Sequence, residues 1–445
     1  MHIDLNNFYA SVECMLNPDL QGKNVAVCGA PEDRHGIILA KSKEAKKLGV
    51  KTGMTIWEAK NLALDLITIT ANFPLYLKYS KIVRKIFENY TDFIEPFGID
   101  ESWLDVTASV NLFGTPKQIA KKIKDEIFQK TKLTVSIGVS YNKIFAKLGS
   151  DIADNDEIVE ITEDNYKQVV WPLPCENLLY VGKRTKKKFN HLNIFTIGDL
   201  ANYDKNLLIK KLGKWGEYLH DFANGKDLSP VRDIASSVPI KSIGNSMTNY
   251  KDISTPSELK VVLTLLSESV VSRLRDLGIK GFSVVHAYIT KTDLSSDGWQ
   301  KKLDSYILSS TKLTTYAFDL ILDNFNFDIN LRGAGVSVSG LKWDNKVQEK
   351  MMEDKKLLKL EEFERCVNKI QKKYGNSKIK KAWILTDKRL NNLDIKEEHV
   401  IHPENFFRKW KNTINRVFYI NKLPFCVSIT FNMFSSSPVK ALIKI

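Results

Sequence analysis

Short apolar runs and longer periodic stretches follow one another along the first 165 residues, and each predicts a different element. Apolar runs at 24–28 and 36–40 are typical of buried strands. Between residues 75 and 90, apolar side chains recur every three or four positions, which predicts an amphipathic helix. Thr115 and Pro116 give the N-cap and first-turn signal of another helix. Strands that alternate with helices in this way predict an α/β domain.

Beyond residue 240 the pattern changes to the order strand, helix, strand, strand, helix, strand. The predicted bounds are 241–253, 256–277, 282–290, 298–307, 311–325 and 329–341. This βαββαβ order is a recognised supersecondary arrangement. A linker containing Ser229, Pro230 and Pro239 precedes it, and a helix over 357–374 and a small folded piece over 381–445 follow it.

Carboxylates stand at the ends of two short apolar runs that are nearly a hundred residues apart. Asp4 lies in the first run, and Asp100 and Glu101 lie in the second. Carboxylate oxygens are ligands for Mg²⁺, and phosphoryl transfer uses such ions to neutralise charge on a triphosphate. Without a cation, two unit charges about 4 Å apart repel by on the order of 4 kcal/mol at an effective dielectric of 20. The alternative is that these are ordinary solvated carboxylates at strand ends.

The two acidic segments resemble motifs of the Y-family translesion DNA polymerases, in the branch of bacterial DNA polymerase IV and UmuC-like proteins. The first is Asp4 followed by Phe-Tyr-Ala-Ser-Val-Glu, the second is Ile-Asp-Glu-Ser-Trp-Leu-Asp at 99–105, and a third match covers 135–147. The resemblance extends over about residues 1–345 and is poor beyond them. It implies an error-prone, template-directed polymerase that extends a primer 3′ end in translesion synthesis. No segment remains for a proofreading exonuclease.

The resemblance also implies a right-hand polymerase fold of α/β and α+β domains. Its palm is expected to be a sheet rich in antiparallel pairs with helices on one side. The expected parts are a palm (1–10 and 75–165), small fingers (11–74), a helix-hairpin-helix thumb (166–232), a linker (233–240), a βαββαβ little finger (241–345) and an extension of unknown role (346–445).

By resemblance, Asp4, Asp100 and Glu101 are the catalytic carboxylates, and they bind two Mg²⁺ ions, for which Mn²⁺ can substitute. The main-chain carbonyl of Leu5 is a further expected ligand. Two such ions roughly 4 Å apart hold the attacking and leaving oxygens of an in-line displacement.

The incoming deoxynucleoside triphosphate is expected next to this site. The backbone amides of Asn7 and Phe8 match the family's phosphate cradle, and Tyr9 matches its steric gate against a ribose 2′-hydroxyl; a core tyrosine is the alternative. Lys43 and Lys46 stand where many relatives carry Tyr and Arg, and lysine serves as a point charge for phosphate without the fork of arginine.

One departure from the family pattern concerns nucleotide binding. Asp154 occupies a position where relatives carry a lysine that contacts phosphate. A positive contact is therefore missing, although the carboxylates for the metal ions are all present.

Two segments are predicted to bind primer–template DNA through its phosphates, which position the DNA without specifying its sequence. A glycine allows close approach of the backbone to a phosphate, and a helix start presents free N–H groups. A solvated helix face is the alternative for each lysine. The candidates are Gly182, Lys183, Arg184 and Lys186 in the thumb and Lys241, Ser242, Gly244 and Asn245 in the little finger.

A weaker candidate is a peptide that binds the replication sliding clamp. Gln348, Met351 and Met352 stand where relatives often carry such a motif, and methionine fills an apolar pocket adaptably. An ordinary linker or helix start is the favoured alternative.

Composition agrees with a DNA-binding protein. The 66 Lys and Arg residues exceed the 52 Asp and Glu residues and give a net charge of +14, although a generally basic enzyme shares this feature. The five cysteines have no spacing typical of a zinc site or a disulfide framework. No apolar run approaches the roughly 20 residues of a membrane helix. A monomer in the bacterial cytoplasm, associated with the nucleoid and not with a membrane, is expected.

Two other classes of function share some of these features. A nucleotidyl cyclase would use the same carboxylates but would need no DNA-binding thumb. A noncatalytic DNA-binding or clamp-associated relative would explain Asp154 and the altered fingers. Primer-dependent incorporation of nucleotides separates both from a polymerase.

Overall fold

The structure, a computed structural model, describes residues 1–29, 36–234, 240–343 and 355–393. The candidate clamp residues Gln348, Met351 and Met352 lie outside the described residues, as do most of the predicted linker and the chain beyond 393. No helix in the described part is long and apolar enough to cross a membrane.

The first 165 residues form two sheets with helices packed on them. The strands are β1 (His2–Leu5), β2 (Val25–Cys28), β3 (Ile38–Lys41), β4 (Ile67–Thr70), β5 (Ile94–Pro96), β6 (Glu101–Leu104), β7 (Val135–Ser140) and β8 (Ile158–Ile161). The helices are α1 (Phe8–Leu16), α2 (Lys43–Lys47), α3 (Ile56–Leu62), α4 (Phe73–Phe87), α5 (Val110–Phe113), α6 (Pro116–Thr131) and α7 (Lys143–Ile152).

The palm sheet has the strand order β5-β6-β1-β7-β8, and only the β7–β8 pair is parallel. Because side chains alternate along a strand, Ile3, Leu104 and Ile137 share one face, where α4 and α6 complete a buried core. The other face carries Gly138, whose Cβ would lie 1.9 Å from the Ala146 carbonyl of α7. The expectation of helices on one side only is therefore wrong, because α7 packs on the second face.

The fingers sheet has the order β3-β2-β4, with a small core of its own. The helical segment after the palm contains α8 (Tyr166–Val169), α9 (Lys183–Asn190), α10 (Ile197–Asn202), α11 (Lys205–Leu212) and α12 (Lys214–Ala223). Gly182 is the N-cap of α9, and a short 3₁₀ turn at Cys175–Asn177, rather than the expected α-helix, precedes it. The thumb core includes Phe145 of α7, so α7 joins the palm to the thumb.

The little finger has the predicted βαββαβ order. Its elements are β9 (Ser242–Ile253), α13 (Pro256–Asp276), β10 (Gly281–Lys291), β11 (Ser296–Ile307), α14 (Ser310–Leu322) and β12 (Leu331–Lys342). The antiparallel sheet has the order β11-β10-β12-β9, and α13 and α14 pack on one of its faces.

The segment after residue 354 belongs to the same core as the little finger. It contains α15 (Lys355–Tyr374), a 3₁₀ turn at Ala382–Thr386 and α16 (Lys388–Asn392). Ile384 and Leu390 are buried within the core that α13 and α14 form with the sheet. The predicted boundary at 345 therefore divides one folded unit, because this core continues to residue 393.

Candidate active site

Strand pairing brings the two acidic segments together at one end of the palm sheet. Asp4 lies directly opposite Glu101 in the antiparallel β1–β6 pair. The carbonyl of Asp100 accepts a hydrogen bond of 3.1 Å from the backbone N–H of Leu5. Residues opposite each other in such a pair have Cβ atoms about 4.5–5.5 Å apart. The sheet thus places Asp4 and Glu101 side by side on the face where α7 packs, and Asp100 directly precedes Glu101 in the chain.

The electrostatics of Asp4 and Asp100 show that these carboxylates crowd one another. Burial and the nearby charge of Asp100 raise the pKa of Asp4 to about 8. Burial and the charge of Glu101 raise the pKa of Asp100 to about 6. Both loss of solvent and a like charge disfavour ionisation of a carboxyl group. A cation at this place would relieve the repulsion.

Glu101 behaves in the opposite way because it has positive and polar partners. Burial raises the pKa of Glu101, but contacts with His2 and Lys147 outweigh burial and lower the pKa below its usual value. The Nε2 atom of His2 lies 3.4 Å from Glu101 Oε2, and the ring is fully buried. Glu101 is therefore ionised at neutral pH and held in place.

Lys147 is a functional candidate to which sequence reasoning assigned no role. Its Nζ lies 2.9 Å from Glu101 Oε2, 3.9 Å from Asp4 Oδ2 and 2.6 Å from Asp151 Oδ1. Burial lowers the pKa of Lys147, but Glu101 and Asp151 raise it above its usual value. The spacing of Lys147 and Asp151, four positions apart on one helix, was the available signal. Only the packing of α7 shows that the ammonium faces Glu101 and Asp4.

The donor set suits a hard divalent cation, although the side chains do not form a closed ligand cluster. Among the described residues, no three His, Cys, Asp or Glu side chains are gathered closely enough to hold a metal ion. Glu101 is drawn to Lys147, and Asp4 and Asp100 carry raised pKa values. Carboxylate oxygens are nevertheless the ligands that Mg²⁺ uses in phosphoryl-transfer enzymes. The residues therefore fit Mg²⁺ in their chemistry.

Gly98 leaves space for the carboxylates. A Cβ at this position would lie 3.0 Å from Asp100 Oδ1 and 3.0 Å from Glu101 Cγ. The buried Arg84 of α4 donates a hydrogen bond of 2.6 Å to the Gly98 carbonyl. Arg84 thus holds the turn that leads into β6, and the missing side chain of Gly98 leaves space next to the carboxylates.

The start of α1 presents backbone N–H groups beside these carboxylates. Asn7 is the N-cap residue, has a φ of 50°, and makes no capping hydrogen bond through its side chain. The N–H groups of the first helical turn have no partner within a helix and favour an anion. The amides of Asn7 and Phe8 thus stand at a helix start that suits a phosphate group.

Tyr9 is held in an aromatic cluster near Asp100. Its ring stacks on Tyr76 with 4.4 Å between centroids and meets Phe73 edge to face at 5.9 Å. The Tyr76 hydroxyl donates a hydrogen bond of 2.6 Å to Glu13. Burial and the charge of Asp100 raise the pKa of Tyr9 to about 12. A ring fixed on two sides is suited to a steric role.

Lys43 and Lys46 lie exposed on α2 in the fingers. Burial and the charge of Lys46 lower the pKa of Lys41, so a third lysine lies close to this pair. A cavity of about 360 Å³ lies between α1 and α2, and its lining includes Asn7, Lys43 and Asp156.

The segment containing Asp154 closes the far side of this cavity. The Asp154 N–H donates to Glu157 Oε2, and the Asp154 carbonyl accepts a hydrogen bond from Ser136. The exposed Asp154 side chain supplies no positive charge. The missing lysine contact noted in the sequence is therefore not replaced within this segment.

The predicted thumb residues surround the start of α9. No atom lies within 4 Å of the place of a Cβ at Gly182, so packing within the protein does not require glycine there. Lys183 and Arg184 are exposed, whereas Lys186 forms an ion pair of 2.5 Å with Glu176.

The predicted little-finger residues divide between the two sides of β9. Lys241 and Ser242 are exposed, and the Gly244 carbonyl accepts a hydrogen bond of 3.0 Å from Arg273. The Asn245 side chain donates a hydrogen bond to Ser269 of α13, at 3.1 Å. Asn245 can therefore offer DNA only its backbone.

Comparison with known proteins agrees with this arrangement. The model of the impB/mucB/samB family matches residues 3–151, and the model of that family's C-terminal domain matches residues 240–351. DNA polymerase IV from Acetivibrio thermocellus is 46% identical over 395 residues, which cover 88% of this chain and 99% of that protein. DNA polymerase IV from Clostridium kluyveri is 36% identical over 392 residues, covering 86% and 97% respectively.

Solved structures show the same similarity. A chimera of the Y-family DNA polymerases Dbh and Dpo4 has a TM-score of 0.67 and 27% identity, covering 77% of this chain and 99% of that one. The insertion ternary complex of Dbh DNA polymerase has a TM-score of 0.54 at 27% identity, with the same coverage.

The chain belongs to the impB/mucB/samB family, whose members are Y-family DNA polymerases. Its full-length relatives are DNA polymerase IV proteins, so the chain is a DNA-directed DNA polymerase of the translesion type. The prediction from the three motifs is confirmed, and neither the cyclase nor the noncatalytic alternative is supported.

Proposed function

We propose that Asp4, Asp100 and Glu101 hold two Mg²⁺ ions and that these carboxylates are the catalytic residues of primer extension. The observation that carries the proposal is the register of β1 and β6, which places Asp4 opposite Glu101. The raised pKa values of Asp4 and Asp100 support it, because crowded carboxylates gain from a cation. The ions would neutralise developing charge on the phosphoryl group, and the Leu5 carbonyl would be an additional ligand.

The chain's own residues would position the nucleotide. The amides of Asn7 and Phe8 would bind phosphate oxygens, and Lys43 and Lys46 would approach from the fingers across the cavity. The fixed ring of Tyr9 would exclude a ribose 2′-hydroxyl by contact, because stacking on Tyr76 and contact with Phe73 prevent the ring from moving aside.

DNA phosphates would contact Gly182, Lys183 and Arg184 in the thumb and Lys241, Ser242 and Gly244 in the little finger. Lys186 would first have to leave Glu176. Clamp binding through residues 348–352 stays a prediction, and binding of the purified clamp by variants of Met351 and Met352 would test it. Action as a monomer in the bacterial cytoplasm, close to the nucleoid, is part of the same proposal.

Primer extension tests the metal and catalytic assignment. The Asp100→Ala, Glu101→Ala double variant is expected to lose extension with either Mg²⁺ or Mn²⁺. Asp105→Asn is the matched control, because Asp105 follows the same strand at its other end and its side chain accepts hydrogen bonds from Thr107 there. Equal activity of the double variant and the wild-type protein would refute the assignment.

A further inference from the structure

The segment from 355 to 393 attaches to the helical side of the little finger through polar contacts of α15. Glu364 is buried and accepts hydrogen bonds from the backbone N–H groups of Ser310 and Thr311, at 2.8 and 2.9 Å. It thereby occupies the anion-favouring start of α14. Asn368 donates a hydrogen bond of 3.1 Å to Ser272 of α13. The polar face of α15 is thus the buried face.

This attachment turns the acidic residues inward and leaves a basic outer surface. The segment has twelve lysines and arginines and only four carboxylates, a formal charge of +8. Glu361 accepts the Leu308 N–H, Glu364 caps α14, and Asp387 accepts a hydrogen bond from Tyr250. Only Glu362 has no such contact with the little finger among the described hydrogen bonds. The charge is therefore presented mainly to solvent.

Aromatic side chains stand among these lysines. Phe363 is 65% exposed and Tyr374 is 58% exposed. They lie eleven positions apart on α15, so they share one face of the helix at a separation of about 16 Å along its axis. The Lys373 ammonium lies 5.0 Å from the Tyr374 ring centre. Ile370 is 40% exposed on the same face, so this face of α15 presents an apolar patch, and such patches often mark an interaction site.

Trp383 is another exposed aromatic residue, and a hydrogen bond fixes the orientation of its ring. Its indole N–H donates a hydrogen bond of 2.9 Å to the buried Thr264 of α13, while the residue stays 39% exposed. The ammonium groups of Lys260 and Lys381 lie 5.8 and 5.7 Å from its ring. The ring plane is held, and two positive charges stand close to it.

A small cavity lies beside Phe363. Its volume is about 170 Å³, and its lining includes Phe363, Val367 and Lys381. Glu268, Arg275 and Glu364 also line this cavity, so it is a polar recess next to the exposed ring of Phe363.

We propose that this surface binds single-stranded nucleic acid, and we define the back surface as Phe363, Tyr374, Trp383 and the lysines around them. Bases would stack on the exposed rings, and phosphates would pair with lysines such as Lys359, Lys369 and Lys373. Proteins that bind single-stranded nucleic acid commonly combine a basic surface with exposed aromatic rings, because the unpaired bases can stack on these rings. A duplex offers no such faces. An acidic peptide would match the charge but would make no use of the rings held in place.

The test uses the full chain with its principal DNA site occupied by a blunt-ended duplex. Binding of a labelled oligo-dT is then followed by fluorescence anisotropy as salt is varied. Phe363→Ala is expected to weaken oligo-dT binding at least about fivefold, which corresponds to the loss of one stacked base. The triple variant Lys359→Gln, Lys369→Gln, Lys373→Gln is expected to reduce the salt slope by about 2, at roughly 0.7 per phosphate contact.

Phe128→Ala is the matched control, because Phe128 is also a half-exposed phenylalanine on a helix with a lysine, Lys132, over its ring at 5.4 Å. It lies on the palm and should leave oligo-dT binding unchanged. Since Phe363 is mainly exposed, its truncation should also leave thermal unfolding and primer extension unchanged. Oligo-dT carrying iodouracil should crosslink to the peptide that contains Phe363 or Trp383.

Two results would overturn the proposal. The first is wild-type affinity for oligo-dT in both the Phe363→Ala variant and the triple lysine variant. The second is weaker binding of a polyglutamate peptide by these variants with no change towards oligo-dT, which would assign the back surface to an acidic protein.

Discussion

Replacing Asp4 by asparagine tests whether the three carboxylates crowd one another as the structure indicates. The substitution keeps the size and shape of the side chain but removes its charge. The variant should lose primer extension because it loses a proposed metal ligand. It should also be more stable than the wild-type protein without metal, because a buried charge disappears from beside Asp100 and Glu101.

The size of this gain follows from the geometry. At the roughly 5 Å of an antiparallel pair, two unit charges repel by about 3 kcal/mol at an effective dielectric of 20. Lys147 offsets part of this repulsion, since its Nζ lies 3.9 Å from Asp4 Oδ2, and the Asp4 side chain is 31% exposed and partly screened. We expect the free energy of unfolding to rise by about 1–2 kcal/mol at about pH 9.

The gain should depend on pH with a defined sign. The pKa of Asp4 is raised from 3.8 to about 8, so the folded protein binds this proton more tightly than the unfolded chain does. The contribution of Asp4 to stability is therefore present at low pH and is lost as the pH rises from about 4 through about 8. Below about pH 4 the Asp4 carboxyl is largely protonated in both the folded and the unfolded protein, so the two proteins should differ little there, and the difference should grow as the pH rises.

Urea unfolding in the presence of a chelator measures these differences. In a second measurement without chelator, Mg²⁺ should stabilise the wild-type protein by about 2.7 kcal/mol at a hundredfold excess over Kd. It should have a much smaller effect on Asp4→Asn. Asp19→Asn is the control, because Asp19 is exposed and distant in sequence from the site. Equal stability of Asp4→Asn and wild type at pH 9, with equal responses to Mg²⁺, would refute the reasoning.

Three further variants have defined outcomes. Tyr9→Ala should admit ribonucleotides, and unchanged sugar discrimination in single-nucleotide incorporation would remove its gating role. Gly98→Ala should displace Asp100 or Glu101, because the new Cβ lies 3.0 Å from both, so the Mg²⁺ concentration for half-maximal extension should rise while the protein stays folded by circular dichroism. Glu364→Leu should destabilise the little finger by about 3 kcal/mol, because it leaves Arg275 without its 3.3 Å ion pair. Limited proteolysis should then release the segment from 355 onwards more rapidly. Unchanged proteolysis would contradict this attachment.

Local signals in the sequence predicted several elements correctly. Thr115 caps α6 together with Gln118, as the Thr-Pro signal indicated. The βαββαβ order of the little finger is confirmed, with bounds that differ by a few residues. These features follow from side-chain periodicity and from capping within a few residues, so they can be read without knowledge of the fold.

Residues of the candidate site could be predicted from the sequence only where they belong to a recognised motif. The motifs identified Asp4, Asp100, Glu101 and Tyr9, but no motif assigned a role to Lys147, whose contacts arise when α7 packs on the second face of the palm sheet. Asn245 matched the family pattern, yet the position of β9 against α13 directs its side chain to Ser269. Which face a side chain occupies depends on sheet register and helix packing, and these involve residues distant in the chain.

The sequence by itself determined the family and the order of the elements and predicted the catalytic carboxylates, because these depend on residue identity and local spacing. Only the tertiary structure decided that α15 buries Glu364 and Asn368 while it exposes Phe363 and Tyr374. Hydrophobicity alone would have placed the apolar stripe of this helix inwards. The start of α14 and Ser272 instead offer hydrogen bonds to its polar face, and a buried polar group is stable where such partners exist.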